Sequence, residues 1–437
     1  MPANRFHLSW FLQGSSIQAW GAPWTGNISE QWMNPTMFLD LVRAMERACM
    51  DYILVEDSIY IGQNWKNSRE IFLTNGMSVP RQEPSVVATL MAAATTRLGI
   101  VPTLSTFAYH PYLTARIIGS LDQVSGGRAG YNMVTGSSDL SGQNFGLDQL
   151  PEHDHRYEMA DEYIQICKQL WGSWEPGAIV ADRKSGVLID HTKVHQIDFK
   201  GQYYSSRGPL NSGPCPQGQP VIAQAGGSAK GKDFAARYAD TIVCSAKGVD
   251  AMKAYRDEIR ALMTKYGRDP DTCKILFLIS PVVGWTQSEA DEIQARRVAE
   301  AASNLDVRLA QLGWSTNIDF SGFDLDQPVG ELSTNGHQFS LAQFLRKAGK
   351  STLREAIVDH STSGYGLSLV GTPASIADQL DECMQAVGGD GFLIALPDVS
   401  RRSVATITDG LIPELQQRDL VRRAYAHEQL RDNLLEF

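Results

Sequence analysis

The stretch VIAQAGGSAKGKDFAARYADTIVCSA, residues 221–246, contains the unit that decides the fold. A buried strand is predicted over residues 219–226, and a glycine-rich turn follows it. A helix is predicted over residues 229–239 and a second buried strand over residues 241–246. This order of strand, turn, helix and strand is typical of the parallel βα units of α/β proteins. The segment therefore predicts a parallel sheet covered by helices.

The same alternation continues in both directions along the chain. Residues 37–50, for example, carry apolar side chains at steps of three and four, the spacing of one helix face. The eight predicted strands are residues 6–11, 52–57, 97–106, 128–136, 219–226, 241–246, 274–284 and 391–396. Because helices separate them, we expect an α/β fold, a (β/α)8 TIM barrel with insertions, formed by a single domain over residues 1–437.

Two spacings between predicted strands are too long for simple connections. Residues 172–218 and 285–370 are therefore predicted to be insertions. Long loops in compact domains commonly cover active sites, although a decorated surface is the alternative. In the second insertion, residues 361–371 offer glycine and serine hinges. Its aromatic residues could face a pocket or only pin the insertion to the barrel, and they are Trp314, Phe320 and Phe323.

Composition excludes several classes of partner. The chain has 39 Lys and Arg against 49 Asp and Glu, a formal charge of −10, and shows no basic stripe, so no nucleic acid is expected. The longest strongly apolar run, residues 275–285, is shorter than the ~20 residues needed to cross a bilayer, so no membrane partner is expected. The polar start argues against a secretory leader, and six scattered cysteines argue against disulfides or a metal site. We expect a cytoplasmic protein.

The turn after the strand at 219–226 is the strongest local signal for a binding site. Glycines and the first free N–H groups of a helix can hold a phosphate. Ser228, with the backbone of Ala225 and Gly226, suits one monophosphate. A tight βα turn without a ligand is the alternative.

Two other motifs are weaker. Gly226, Gly231 and Lys232 nearly complete a nucleotide P-loop. Asp233, however, replaces the Ser or Thr that binds magnesium and would face the phosphates with a like charge, so a triphosphate site is rejected. The HTKVH segment at 191–195 lacks the glutamate of a zinc protease, and no metal is expected.

Further polar residues fall where a barrel places its active site. Asp57 ends the second predicted strand, and Asn132 and Thr135 fall near the end of the fourth. The segment EHDHRY at 152–157 stands at the head of a helix, where it could cap the helix or meet an anion. No Ser/His/Asp or Cys/His arrangement appears, so the chemistry is expected to belong to a cofactor.

Several long segments resemble the nitrilotriacetate monooxygenase branch of the bacterial-luciferase-like flavin monooxygenases, which includes EDTA, dibenzothiophene-sulfone and long-chain alkane monooxygenases. They include LDQVSGGRAGYNMVTG (121–136), NFGLDQLPEHDHRYEMADEY (144–163), CPQGQPVIAQAGGSAKGKDFAA (215–236) and GTPASIADQL (371–380). The resemblance covers nearly the whole chain. It implies a TIM-barrel enzyme that uses FMN, as FMNH2 delivered by a separate NAD(P)H:flavin reductase, and O2 to oxygenate and often cleave a small organic substrate.

The resemblance also implies roles for single positions. The implied cofactor-binding residues are Asp57, Thr103, Asn132, Tyr157, Ala225, Gly226 and Ser228. Asn132 and Ser137 are expected to be catalytic, with Ser137 at the position of a histidine in the long-chain alkane oxidiser. Relatives also imply a homo-oligomer, a dimer or tetramer. The chain shows no GxGxxG between a strand and a helix, which agrees with a separate reductase.

The sequence departs from the family pattern in ways that leave the substrate open. AWGAPWTG at 19–26 lacks the Arg and His of an AWRHP-like segment, and Tyr131 replaces a tryptophan. Three alternatives therefore stay open. They are riboflavin lyase-type breakdown of a flavin, a deazaflavin-dependent dehydrogenase of the same superfamily, and a non-catalytic flavin-binding subunit.

Overall fold

The structure, a computed structural model, describes residues 5–13, 35–397 and 399–437. Eight parallel strands follow one another around a closed barrel, and the last pairs with the first. The strands are β1 (His7–Leu12), β2 (Tyr52–Val55), β3 (Gly99–Ser105), β4 (Gly130–Val134), β5 (Val221–Gln224), β6 (Thr241–Cys244), β7 (Lys274–Ile279) and β8 (Gly391–Ile394). The predicted (β/α)8 barrel and its eight strands are confirmed.

Helices cover the outside of the barrel. The face predicted over residues 37–50 is buried, and Leu41, Val42 and Met45 have no exposed surface. The helices are α1 (Thr36–Arg47), α2 (Glu70–Thr74), α3 (Pro84–Ala93), α4 (Pro111–Ser125), α5 (Asp139–Gln143), α6 (His153–Trp171), α7 (Ala229–Tyr238), α8 (Val249–Lys265), α9 (Gln287–Ser303), α10 (Leu305–Thr316), α11 (Gln338–Ala348), α12 (Leu353–Thr362), α13 (Pro373–Val387), α14 (Arg401–Ala405), α15 (Ile412–Gln417) and α16 (Leu430–Leu434). No described helix is both long and apolar enough to cross a membrane.

The strand predicted over residues 274–284 is too long. β7 ends at Ile279, and Val282–Val283 leaves the barrel to pair with Val370–Gly371. Pro281 lies between the two pieces and has no N–H to donate, so the barrel ladder stops there. The second insertion therefore leaves and rejoins the barrel at neighbouring points.

The amino-terminal end of the barrel is closed by a buried ionic network. Asp51 Oδ1 lies 2.8 Å from Arg422 Nη2 and 2.9 Å from His7 Nδ1, and all three side chains are at most 2% exposed. Phe437 stacks on His7 with ring centroids 4.4 Å apart. Burial alone would raise the pKa of Asp51, but Arg422 and His7 outweigh it and hold that pKa below its usual value.

The two long segments, residues 172–218 and 285–370, have different structures. Residues 172–218 form two short hairpins, and the segment packs beside α6, where Gln202 N donates to Glu162 Oε2 at 2.8 Å. Residues 285–370 form α9 to α12 around an apolar cluster that also includes Trp65 and Phe72, and in which Phe320 is 1% exposed. Phe320 and Phe323 belong to this cluster, so they pin the segment to its surroundings, and neither borders the cavity at the carboxyl end of the barrel.

Candidate active site

A cavity of about 270 Å³ opens at the carboxyl ends of the barrel strands. Its walls come from the ends of β1 to β7 and from residues 314–340 of the second long segment. The predicted site residues that border it are Asp57, Thr103, Asn132, Ser137, Tyr157, Ala225, Gly226 and Ser228. The fold thus brings together every residue assigned to the site from the sequence, while their roles stay predictions.

The turn between β5 and α7 is shaped for close approach by a ligand. A Cβ added to Gly226 would lie 2.6 Å from Gln224 Oε1 and 2.7 Å from the carbonyl carbon of Gly231. Tyr255 fixes the turn, because its hydroxyl donates to Gly226 O at 2.6 Å. Sequence reasoning missed Tyr255, which lies on α8 and carries no local signal. The turn can expose its backbone N–H groups to an anion at the start of a helix.

Two hydroxyl groups lie beside this turn. Ser228 Oγ caps α7 by accepting from Gly231 N at 3.1 Å, which leaves its own O–H to donate elsewhere. Tyr157 Oη lies 3.5 Å from Gln224 Nε2. Burial raises the pKa of Tyr157, so its hydroxyl stays neutral and able to donate.

The charged residues after this turn do not form a triphosphate site. Lys232 Nζ lies 2.6 Å from Glu258 Oε2 and is committed to that carboxylate. Asp233 pairs with Arg237 at 3.2 Å. The expectation that Asp233 would face bound phosphates is wrong, because the helix directs it towards Arg237, but the rejection of a P-loop stands on Lys232.

Polar side chains at the ends of β4 and β5 carry unused acceptors. Asn132 Nδ2 donates to Thr103 Oγ1 at 2.8 Å across the paired strands. Asn132 Oδ1 and Gln224 Oε1 are buried and have no hydrogen-bond partner in the described part of the chain. An unsatisfied buried acceptor costs roughly 1–3 kcal/mol, which a ligand with N–H groups would recover. Gln224 was missed, although a polar residue in the apolar strand VIAQ was a usable signal.

An acidic pair lies at the end of β2. Arg81 Nη1 is 2.8 Å from Glu56 Oε2 but 4.0 Å from Asp57 Oδ1. Burial raises the pKa of Asp57 to about 7, and the Arg81 charge opposes this only partly. Asp57 can therefore exchange a proton near neutral pH at the edge of the cavity.

The EHDHRY segment ties the second long segment to the barrel. His153 N donates to Asn335 Oδ1 at 3.0 Å. Arg156 donates to the same oxygen at 3.2 Å and to Asn335 O at 3.0 Å. Glu152, in the cap position of α6, makes no side-chain cap, so the capping interpretation is wrong at that position. The segment instead fixes Asn335, which directly precedes Gly336 and His337 at the cavity wall.

Part of the second long segment covers the cavity. Trp314, His337 and Phe339 border it, and Trp314 stacks on Tyr60 with centroids 5.7 Å apart. The expectation that Trp314 faces the pocket is met, whereas residues 172–218 border none of it. The AWGAPWTG segment at 19–26 lies outside the described residues.

The described residues hold no cluster of three potential metal ligands. In the HTKVH segment, His195 Nε2 lies 2.6 Å from Glu175 Oε1 in an exposed pair. All six cysteines are free thiols.

Comparison with known proteins decides the family. Residues 14–391 match the model of the luciferase-like monooxygenases. The chain belongs to this family. The family is one of flavin-dependent monooxygenases, so the predictions of an enzyme, of its class and of a reduced flavin are confirmed.

Three similar proteins span nearly the whole luciferase-like chain. Dibenzothiophene-sulfone monooxygenase of Rhodococcus erythropolis (strain XP) is 33% identical over 99% of this chain and 96% of its own. Nitrilotriacetate monooxygenase component A of Aminobacter aminovorans is 32% identical over 99% of this chain and 97% of its own. A crystal structure of riboflavin lyase, with modified FMN and riboflavin, has a TM-score of 0.89 at 29% identity and covers 99% of this chain and 96% of that one.

The residues of the cavity fit FMN. A flavin mononucleotide combines a phosphate with a planar ring whose edge carries N–H groups and carbonyls. The glycine-lined turn with Ser228 offers donors to a phosphate. Asn132 Oδ1 and Gln224 Oε1 offer buried acceptors to a ring edge. The cavity therefore holds complementary groups for both ends of the cofactor.

Proposed function

We propose that this luciferase-like enzyme is a two-component monooxygenase that takes FMNH2 from a separate NAD(P)H:flavin reductase and transfers one atom of O2 to a small organic substrate, often with bond cleavage. One observation carries the proposal. A single cavity joins the turn at Gly226 and Ser228 to the unpartnered acceptors of Asn132 and Gln224 and to Asp57. Similarity to a monooxygenase component A supports the separate reductase.

The residues of the chain divide the work by position. Bound FMNH2 supplies two electrons and two protons, so that one oxygen atom enters the substrate and the other leaves as water. Ser228, Tyr157 and the N–H groups of the turn hold the phosphate. Asn132 and Gln224 orient the ring, and Thr103 keeps the Asn132 amide in place through its 2.8 Å hydrogen bond.

Two residues lie where a proton is held or released, or where negative charge develops, during the reaction. Asp57, with its pKa near 7, holds or releases a proton at its carboxylate oxygens at neutral pH. Ser137 borders the cavity, and we place its hydroxyl with Asn132 among the groups that contact the reacting atoms. Fixed polar groups stabilise developing negative charge best when water is excluded.

Residues 314–340 of the second long segment, which we call the cover, keep water out of the cavity. Trp314 and Phe339 present apolar surface to the cavity, and Asn335 is held by α6 through three hydrogen bonds. Water that reaches the oxygenating centre would divert oxygen to hydrogen peroxide. The cover thus ties oxygen use to the substrate.

The test measures NADH oxidation by the purified chain with FMN and O2, with and without an added NADH:flavin reductase. Oxidation is expected to be negligible without the reductase. With it, the chain is expected to incorporate one atom of labelled O2 into product. Rapid NADH turnover by the chain alone would contradict the two-component proposal. A cytoplasmic location, where NADH and reductases are available, belongs to the same proposal.

Breakdown of a flavin is the second candidate. The likeness to a riboflavin lyase structure, with a TM-score of 0.89, favours it. The chain would then use FMNH2 and O2 to convert riboflavin to lumichrome. Incubation with riboflavin, FMNH2 and O2 that yields no lumichrome would exclude this candidate.

A further inference from the structure

The two sides of the cavity carry different chemistry. The phosphate-binding turn follows β5, which lies opposite β1 in a closed barrel of eight strands. Asn132 and Thr103 lie on the neighbouring strands β4 and β3. A flavin anchored at these points leaves the mouth above β1 and β2 for the substrate.

That side of the mouth is built from aromatic rings. Phe11 lies on β1, Tyr60 and Phe107 follow β2 and β3, and Trp314 comes from the end of α10. The rings of Tyr60 and Trp314 are 17° from parallel, and the Tyr60 hydroxyl donates to Trp314 O at 2.9 Å. The two rings are stacked on one another, and we call them the Tyr60–Trp314 pair.

The charges around the cavity do not suit an anionic substrate. Glu56 and Asp57 lie on this side, where Arg81 already binds Glu56. Arg156 also borders the cavity, but its terminal nitrogens donate to Pro151 O and to Asn335. Residues 14–34, which lie outside the description, contain one Glu and neither Lys nor Arg. That segment therefore cannot add a lysine or arginine for a carboxylate substrate.

We infer that the substrate is an uncharged, planar aromatic or heteroaromatic molecule that binds against the Tyr60–Trp314 pair. This inference rests on the proposed function and narrows its substrate class. Flat rings gain from offset or edge contacts with aromatic side chains beyond the area they bury. Glu56, already paired with Arg81, and Asp57 offer a polycarboxylate no free cation, so the same wall discriminates against it.

The test compares three probes on the FMN-bound protein by isothermal titration calorimetry. They are dibenzothiophene sulfone, which is planar and aromatic, dihexyl sulfone, which has the same polar group on saturated chains, and nitrilotriacetate. The aromatic sulfone is expected to bind about tenfold more tightly than dihexyl sulfone, the factor that one strong aromatic contact supplies. Nitrilotriacetate is expected not to bind.

Variants locate the contact. Trp314→Leu is expected to weaken the aromatic sulfone about tenfold and dihexyl sulfone less than about twofold. Trp285→Leu, at a tryptophan that is 53% exposed and does not border the cavity, is expected to leave both affinities unchanged. Unchanged FMN affinity in Trp314→Leu shows that the variant is folded.

Two results would overturn the inference. One is equal loss of both sulfones in Trp314→Leu, and the other is tighter binding of dihexyl sulfone or nitrilotriacetate than of the aromatic probe. If reductase-fed enzyme oxygenates a saturated or anionic substrate, the inference fails while the proposed function stands. If FMN itself does not bind, it is the proposed function that is contradicted.

Discussion

At the scale of single residues, the shape of the candidate cofactor site depends on two glycines, Gly226 and Gly227, because neither has a Cβ. Gly226 has no Cβ, and the space that a Cβ would need is filled by Gln224 and by the backbone of Gly231. Gly227 likewise lies against the ring of Phe339. The turn can therefore present its backbone directly to a ligand.

Gly226→Ala tests this closeness. The added methyl group must displace Gln224 or the start of α7, and overpacking of this kind costs roughly 1–3 kcal/mol. FMN affinity is expected to fall at least about tenfold, measured by quenching of flavin fluorescence. Gly322→Ala is the control, since nothing lies within 4 Å of its added Cβ. Equal affinities in the two variants would locate the phosphate elsewhere.

Asp57 makes stability depend on pH. Its pKa is about 7 in the folded chain and about 3.9 in the unfolded chain, so the folded state binds the proton more tightly. The stability that this proton provides is complete below about pH 4 and is lost as the pH rises to about 7. In Asp57→Asn, urea unfolding should show a gain over the wild type that is larger at pH 8 than at pH 5 by roughly 2 kcal/mol.

The exposed Asp148 supplies the control for this measurement, because Asp148→Asn removes a carboxylate that lies in solvent. Its unfolding free energy should follow the wild type at both values of pH. A constant difference between Asp57→Asn and the wild type would mean that Asp57 titrates normally.

At the scale of elements, the second long segment has two roles that the sequence offered as alternatives. It borders the cavity, and its aromatic residues also pack in an apolar cluster. Trp314 borders the cavity, whereas Phe320, Val329 and Phe344 form an apolar cluster behind it. Deleting residues 315–345 would remove that cluster, so the deletion would test folding and not the cover. A substitution at Asn335 is the sharper change.

Asn335→Ala should loosen the cover while leaving the barrel intact. The variant loses the oxygen that accepts from His153 N and Arg156. FMN affinity is expected to change less than about twofold, while hydrogen peroxide released per FMNH2 consumed rises several-fold because water gains entry. Asn304→Ala, at the exposed end of α9, is the control. An unchanged peroxide yield would show that this contact does not control water access.

The sequence predicted the barrel elements well and assigned to the site residues that do border one cavity, but it did not predict the contacts between distant segments. Asp57, Asn132 and Ser228 could be found because each falls at the carboxyl end of a strand or the start of a helix, positions that local pattern reveals. Asn335 and Phe339 could not, since their contacts join segments far apart in the chain and neither residue type has a local pattern.

At the scale of the whole molecule, the two ends of the barrel serve different purposes. The cavity occupies the carboxyl end, and the network of His7, Asp51 and Arg422 occupies the amino end. Stability and binding can therefore be changed separately. Because the pKa of Asp51 is held low, its contribution to stability is present above about pH 4 and is lost as the pH falls.

Arg422→Met tests this separation. The change leaves Asp51 charged and buried without its arginine, which costs roughly 3–5 kcal/mol in urea unfolding at pH 7. Arg5→Met breaks the exposed pair with Asp419 and is expected to cost less than about 1 kcal/mol. FMN affinity should be unchanged in both variants where they are folded. A loss of FMN affinity in folded Arg422→Met would contradict the separation of the two ends.

The most direct test of the central claim is a crystal structure of the chain with FMN. The account predicts the phosphate within hydrogen-bond distance of Ser228 Oγ and the backbone at Gly226, with the edge of the ring at Asn132. The Tyr60–Trp314 pair should remain free to receive a substrate. A phosphate bound elsewhere, or a flavin ring stacked on Trp314, would contradict the account.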